Sequence, residues 1–288
     1  MPILEVKNLT HTYGGDTPFI TDAVKDVNFA VEKGEIIGII GHTGSGKSTL
    51  VQHLNGLLKP TDGEILLENK NIWENPKQIR GIRSRVGLVF QYPEYQLFED
   101  TVYKDIAFGR KNMGLTDEEI NTRITQICEL VGIKQEYFEK SPFDLSGGEK
   151  RRVAIAGVMA MQPEIIIFDE PVAGLDPRGR NDVIRMISDY RKKFNATVII
   201  ISHNMEDMAL LADKLIVMNK GRLLMFDKTE NVFRQHEFLQ SIGLNVPMVT
   251  QIMLKLKEMG VDIPDNIFTV DRAVDYLLKI YKGGNLNA

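Results

Sequence analysis

The sequence predicts an α/β fold: a mostly parallel sheet with helices on both faces, built around a phosphate-binding loop. Three observations predict it. Short, continuous apolar runs alternate with amphipathic helical stretches through the second half of the chain. One such run, Glu35–Ile40, leads directly into Gly41-His-Thr-Gly-Ser-Gly-Lys-Ser48, which fits G-x-x-x-x-G-K-[ST]. Another, Ile165–Phe168, ends in the paired acids Asp169 and Glu170.

The elements follow in order. Ile3–Val6 and Val27–Val31 alternate with period two and read as half-buried strands. Glu35–Ile40 is a fully apolar strand, and a helix from about Lys47 to Leu57 stops near Pro60. Glu64–Leu67 and Val86–Phe90 return to strand. From about Tyr92 to Met161 the pattern is helical, with Thr116 and Glu119 forming a capping-box signature and a further helix over Ser146–Met161. Then come strand Ile165–Phe168, a helix about Arg178–Lys193, strand Thr197–Ile201, a helix about Met205–Leu211 and strand Leu215–Met218. Past Leu239, apolar residues at helical spacing mark helices over Met248–Met259, closed by Gly260, and Val270–Tyr281, so 241–288 is expected to be a small appended domain after a main domain over 1–240.

Composition narrows the class. The 288 residues are 43% hydrophobic and 26% charged with a net charge of −4, so a sizeable core is available and no global basic field points to nucleic acid. The lone Cys128 sits at helical spacing among Ile120, Ile124, Ile127 and Val131, where a small buried hydrophobe is expected. Met1–Leu9 alternates apolar and polar residues, so no secretory leader is expected. No apolar run reaches the ~18–20 residues of a membrane span, so any membrane role is expected to run through a partner.

The loop Gly41–Ser48 is a cradle of backbone N–H groups and a helix N-terminus aimed at phosphate oxygens. In it Gly41, Gly44 and Gly46 allow close approach of backbone to ligand, Lys47 reaches the β- and γ-phosphates, and the Ser48 hydroxyl ligates Mg²⁺. Asp169 is expected to hold Mg²⁺ through water and Glu170 to polarise the attacking water, both at the carboxyl edge of the sheet. Asn219-Lys-Gly-Arg222 starts like the guanine-recognition motif N-K-x-D, but Arg222 stands where the acid is required, and a hairpin turn explains the residues better.

Leu145-Ser-Gly-Gly-Glu149-Lys-Arg-Arg152 resembles the signature motif of ABC ATPases, which begins a helix and presents Ser146, Gly147 and Gly148 to a phosphate bound on a second subunit. The resemblance implies a nucleotide-binding core with an antiparallel β subdomain and a helical subdomain at about 92–161. Two ATP molecules would then lie between two subunits. It also assigns Gln91 to Mg²⁺ and the attacking water, Asp176 of Ala173-Gly-Leu-Asp176 to a loop crossing the dimer interface, and His203 to the γ-phosphate. Tyr13 would stack on adenine, and His42, Thr43, Ser45 and Thr49 complete the ATP contacts. Two departures stand out. Glu149 replaces the usual glutamine and is expected to face solvent or Arg152, and Val172 stands where threonine is usual.

Phe90-Gln-Tyr-Pro-Glu-Tyr-Gln-Leu-Phe98, Thr101–Gly109 and Arg151-Arg-Val-Ala-Ile-Ala-Gly157 resemble the energy-coupling factor transporter ATPases and their cobalt-uptake relatives. With Thr43 after His42, the cradle is closer to the second ATPase of the vitamin-type pair. This resemblance implies a peripheral subunit at the cytoplasmic face of a prokaryotic membrane, powering uptake of vitamins or metal micronutrients. Its partners would be a second ATPase (a heterodimer favoured over a homodimer), an integral membrane coupling subunit and a separate membrane substrate-binding subunit, with no nucleic acid. Tyr92, Tyr95, Leu97 and Phe98 are expected to anchor a helix of the coupling subunit, with Glu94, Glu99 and Asp100 facing its arginines. Alternatives are the cassette of a conventional ABC transporter or a soluble ABC ATPase. The chain carries one set of motifs and only a short stretch between Gln91 and Ser146, unlike ribosome-acting or DNA-repair members.

Overall fold

The computed structural model describes residues 1–14, 20–111 and 115–282. Among them an antiparallel sheet forms from β1 (Leu4–Tyr13), β2 (Thr21–Val31), β4 (Asp62–Leu67) and β5 (Lys70–Asn71), in the order β2-β1-β4-β5. Leu4 pairs with Val31 on one side and Leu67 on the other, so the buried face is set by alternation. β1 and β2 run longer than the apolar alternation indicates. Their outer halves pair polar residues, such as Thr12 with Asp22, across register shifts, where no apolar period exists to read.

The second sheet has the order β10-β9-β3-β8-β7-β6, where β3 is Ile36–Ile40, β6 Val86–Val89, β7 Ile165–Asp169, β8 Thr197–Ile201, β9 Lys214–Asn219 and β10 Arg222–Lys228. All neighbours are parallel except the β9–β10 hairpin at one edge. That hairpin turns through Lys220 and Gly221, both at positive φ, which answers the guanine-motif question in favour of a turn.

The parallel strands are buried on both faces, which is why they read as unbroken apolar runs. Ile37, Ile39, Ile165, Ile167, Ile199 and Ile201 point into a core shared with the antiparallel sheet and with α1 (Lys47–Leu54). Ile36, Ile40, Ile166, Phe168, Val198 and Ile200 point the other way. That second core takes in α3 (Val102–Lys111), α4 (Asp117–Val131), α5 (Gly147–Ala160), α6 (Pro177–Phe194) and α7 (Met205–Leu211). The short α2 (Ile79–Arg85) buries no residue fully, and Ile79 and Ile82 alone make too short an apolar stripe to announce it.

Helix starts match their sequence signals. Both halves of the Thr116/Glu119 capping box are formed and Gly132, at φ 72, closes α4. Cys128 is buried and its thiol is pushed up to about 12 by burial, as an inert packing residue requires.

After α8 (Thr229–Arg234) and α9 (His236–Ser241) come α10 (Met248–Glu258) and α11 (Val270–Lys282). Met253, Ile263, Ile267 and Ala273 form a small core of their own. Leu244, Val246 and Phe268, from the same C-terminal stretch, belong to the large core, and the Phe268 ring lies 5.8 Å from that of Phe233. Residues 283–288 of the expected appended domain lie outside the described residues.

Candidate functional site

Four neighbouring parallel strands deliver four segments to one edge of the sheet. β3 leads into the phosphate loop, β8 into His203, β7 into Asp169 and Glu170, and β6 towards Gln91. Ligands bind beyond the carboxyl ends of such strands because loops and helix N-termini converge there. The convergence encloses a cavity of about 330 Å³ lined by Thr43, Lys47, Ser48, Gln91, Asp169, Glu170 and His203 among others.

The loop keeps its shape because no other residue fits two of its positions. A Cβ on Gly46, at φ 98, would collide with the Ala23 carbonyl, and one on Gly41 with the Met218 carbonyl. Gly46 is the N-cap of α1 and provides no side-chain cap. The first-turn N–H groups therefore face the cavity without a side chain to cap them. Lys47 is buried, and its Nζ donates to the carbonyls of Gly41 (2.7 Å) and His42 (2.8 Å). Burial lowers its pKa, against the raising effect of Glu170 and Asp169. The Ser45 hydroxyl is buried with no hydrogen-bond partner among the described residues, a donor left over inside the cradle.

Opposite the cradle, the Ser48 hydroxyl donates to the Asp169 carboxylate, whose pKa is nonetheless raised, chiefly by burial. Glu170 sits at φ 51, a left-handed conformation that a non-glycine residue adopts at a cost. Its carboxyl is pushed up to about 7, first by burial and then by the charge of Asp169, with the His203 N–H and Lys47 acting against the rise. His203 Nε2 stands 3.0 Å from Glu170 Oε1. Burial, then Lys47, lowers the pKa of His203, favouring the neutral ring. A carboxylate titrating near neutrality in a phosphate-sized cavity has the properties of a general base.

The signature segment lies elsewhere. Ser146 is the N-cap of α5, and its side chain accepts from the Glu149 N–H. Glu149 lies near Arg152, whose charge helps to lower its pKa, and it also turns back onto its own helix start. Its Oε2 accepts from the Ser146 N–H (2.9 Å) and Ser146 Oγ–H (2.6 Å), because a carboxylate three residues into a helix completes a capping box. These bonds hold the Glu149 carboxyl below its usual range. Gly147 and Gly148 are exposed.

The model of the ABC transporter family matches residues 24–173. The energy-coupling factor transporter ATP-binding protein EcfA2 of Clostridium tetani is 52% identical over 285 residues, covering 99% of each chain. Its counterpart in Caldanaerobacter subterraneus subsp. tengcongensis is 50% identical, covering 98% of this chain and 99% of the relative. The chain belongs to the ATP-binding proteins of energy-coupling factor transporters. Of solved structures, cbiO1 from Clostridium perfringens, part of the ABC transporter complex cbiONQ, is 38% identical with a TM-score of 0.74, over 88% of this chain and 99% of that one. A dimeric ATP-binding cassette in a post-hydrolysis state with ADP and Pi is 27% identical with a TM-score of 0.70, over 78% of this chain and 98% of that one. This is an ABC ATPase: it binds and hydrolyses ATP.

The remaining expected residues divide. The Tyr13 hydroxyl lies 3.4 Å from Thr49 Oγ1 and its ring stands edge-on to His11, so Tyr13 and Thr49 flank the cradle together. The exposed His42 turns its Nε2 to the Ile242 carbonyl at 2.8 Å. Asp176 is the N-cap of α6, accepting from the Gly179 N–H at 2.7 Å. Tyr92, Tyr95 and Phe98 are exposed, at 42%, 84% and 57%. Leu97 is not: at 8% exposure it belongs to the large core and is no docking anchor, because the turn after Pro93 points it inward. Glu94 also turns inward, towards Arg151, instead of lining a rim.

Sequence reasoning missed the support behind His203. Asn204 caps α7, and Arg180 binds both Asn204 Oδ1 (3.0 Å) and Asp207 Oδ1 (2.9 Å), fixing the turn that presents the imidazole. The available signal was Asn204 three residues before Asp207 at a helix start.

Proposed function

We propose that this chain is the ATP-hydrolysing subunit of an energy-coupling factor importer that brings a vitamin or metal micronutrient into a prokaryotic cell. The observation that carries the reading is the cavity joining Lys47, Ser48, Gln91, Asp169, Glu170 and His203, in a chain about half identical to such ATP-binding proteins along its whole length. In this reading the cradle Gly41–Thr49 holds the triphosphate, with Lys47 leaving the loop carbonyls for the β- and γ-phosphates, and Tyr13 supports the adenine. Ser48, Gln91 and Asp169 supply hard oxygen donors suited to Mg²⁺, which when bound neutralises charge on the phosphate oxygens. Glu170 takes a proton from the water that attacks the γ-phosphorus, and the bond to the β-phosphate oxygen breaks to release ADP and phosphate. His203 orients the γ-phosphate from the other side.

The signature Ser146–Gly148, with Asp176, completes the site of a second, related ATPase, and a heterodimer is favoured. The appended segment 241–288 acts as a dimerisation domain, a role supported by the outward apolar residues Met248, Ile252, Val274 and Leu278. Among the described residues no helix is long and apolar enough to cross a membrane. In this reading, by its likeness to energy-coupling factor ATP-binding proteins, the chain works as a peripheral subunit at the cytoplasmic face. Tyr92, Tyr95 and Phe98 dock an integral coupling subunit, which joins a separate membrane substrate-binding subunit. No nucleic acid takes part.

Tagged chain pulled from native membranes, with every co-purifying protein identified by mass spectrometry, tests this assembly. A second ATPase and an integral coupling subunit are expected. Recovery with a conventional permease, or as a soluble protein without membrane partners, would overturn the proposal.

A further inference from the structure

The signature helix carries a buried arginine that the proposed chemistry leaves unused. Arg151, on α5, is 4% exposed. Its Nη1 donates to the Ala173 carbonyl at 2.8 Å, at the start of the loop that leads to Asp176. Its guanidinium carbon stands 6.0 Å from the centre of the Tyr92 ring, the residue that follows Gln91. Its Nε is 3.9 Å from Glu94 Oε2. Among the described residues, the buried atoms Arg151 Nε, Arg151 Nη2 and Glu94 Oε2 have no hydrogen-bond partner. One guanidinium thus touches three segments: the signature helix, the interface loop and the segment behind Gln91.

A buried guanidinium that faces a half-buried carboxylate at 3.9 Å, within ion-pair range but beyond hydrogen-bond reach, leaves desolvated donors unused, a costly arrangement if it is permanent. It is economical if the two groups meet in a second arrangement of the same parts. We propose that Arg151 is a positioning residue, and that nucleotide-driven closure brings it onto Glu94 while it keeps hold of the Ala173 carbonyl. Movement of Ser146–Gly148 towards the partner's phosphate is then locked to the placement of Gln91 and of Asp176. The exposed outer side of Tyr92 extends the same link to the docking surface. Only a fork with several donors does this, since a lysine ammonium is a compact point charge and does not span both acceptors.

The inference rests on the site assignments proposed above, so Glu170→Gln is measured beside it. The assay is steady-state ATP turnover of the intact transporter complex carrying Glu94→Gln, Arg151→Lys, Arg151→Met or the Glu94→Gln/Arg151→Met pair, each with a thermal unfolding midpoint. Misplacing reacting groups costs roughly 10- to 100-fold in turnover. We expect kcat to fall about tenfold or more in Glu94→Gln and in Arg151→Lys, with KM for ATP within about twofold of wild type. The pair is expected to be no worse than Arg151→Met alone, because both changes break one contact. If Arg151→Met does not fold, Glu94→Gln and Arg151→Lys carry the test. Wild-type kcat in those two variants, with or without a lowered midpoint, would overturn the proposal and leave a static structural bridge. If Glu170→Gln also turned over normally, the site assignments themselves would fall.

Discussion

The chain has two glycine-rich helix starts, and they are finished in opposite ways. At α1 the N-cap is Gly46, which provides no side-chain cap, and Asp169 and Glu170 stand across the cavity. At α5 the N-cap is Ser146, and Glu149 closes the box with bonds to the Ser146 N–H and hydroxyl. The open start leaves its capping to a ligand. The closed start satisfies itself and has no catalytic carboxylate beside it in its own chain. In the proposed function the first is a reaction site, and the second is a surface held in shape until a second subunit presents a phosphate.

The largest effect that would break this comparison is at the reaction site. Glu170→Gln keeps shape but removes the base, and general-base loss costs ~10²–10⁴ in turnover. ATP binding by filter or fluorescence assay should persist, whereas Lys47→Ala should weaken binding itself. Near-normal turnover in Glu170→Gln would move the chemistry elsewhere.

The support of α1 gives the next effect. His53 is fully buried on that helix, against the His11 ring, and its pKa is lowered from 6.5 to about 4, chiefly by burial. A histidine whose folded pKa is lowered binds fewer protons folded than unfolded, so stability is lost as pH falls from 6.5 towards 4. At about 1.4 kcal/mol per pKa unit the loss is roughly 3 kcal/mol by the acid end of that window. Denaturant unfolding at stepped pH should show this slope, and His53→Leu should flatten it.

The fold at the closed start should respond weakly. Ser146→Ala removes a cap worth about 1 kcal/mol of stability. Glu149→Gln keeps an acceptor for the Ser146 N–H and removes one charge from the face offered to the partner's nucleotide. In the assembled complex it should lower the apparent KM for ATP by roughly two- to fivefold, as one screened charge does, with an unchanged melting temperature. A raised KM would mean that the carboxylate aids the partner site.

Legibility in the sequence follows the same division. The parallel strands, buried on both faces, and the capped helices were readable because burial and capping leave a period or a fixed offset, as in Ile165–Asp169 and Thr116–Glu119. The outer halves of β1 and β2, and the short, half-buried α2, carry too little of such a pattern to read. Within the site, residue types bound to one chemistry were legible from their motifs, and the structure brings Lys47 and the Asp169–Glu170 pair to one cavity. Side-chain direction in irregular segments was not readable. Leu97 and Glu94 point inward from a turn whose shape depends on Tyr92 at φ 56, and nothing in their spacing says so.

The central claim is that the open cradle works only when another subunit's signature completes it. The most direct test is the specific ATPase activity of the purified full-length chain across a wide range of protein concentration, with sedimentation in the same samples. Activity per molecule should be low when the chain is dilute and rise as it associates. A specific activity that stays constant while sedimentation shows monomer would contradict the account.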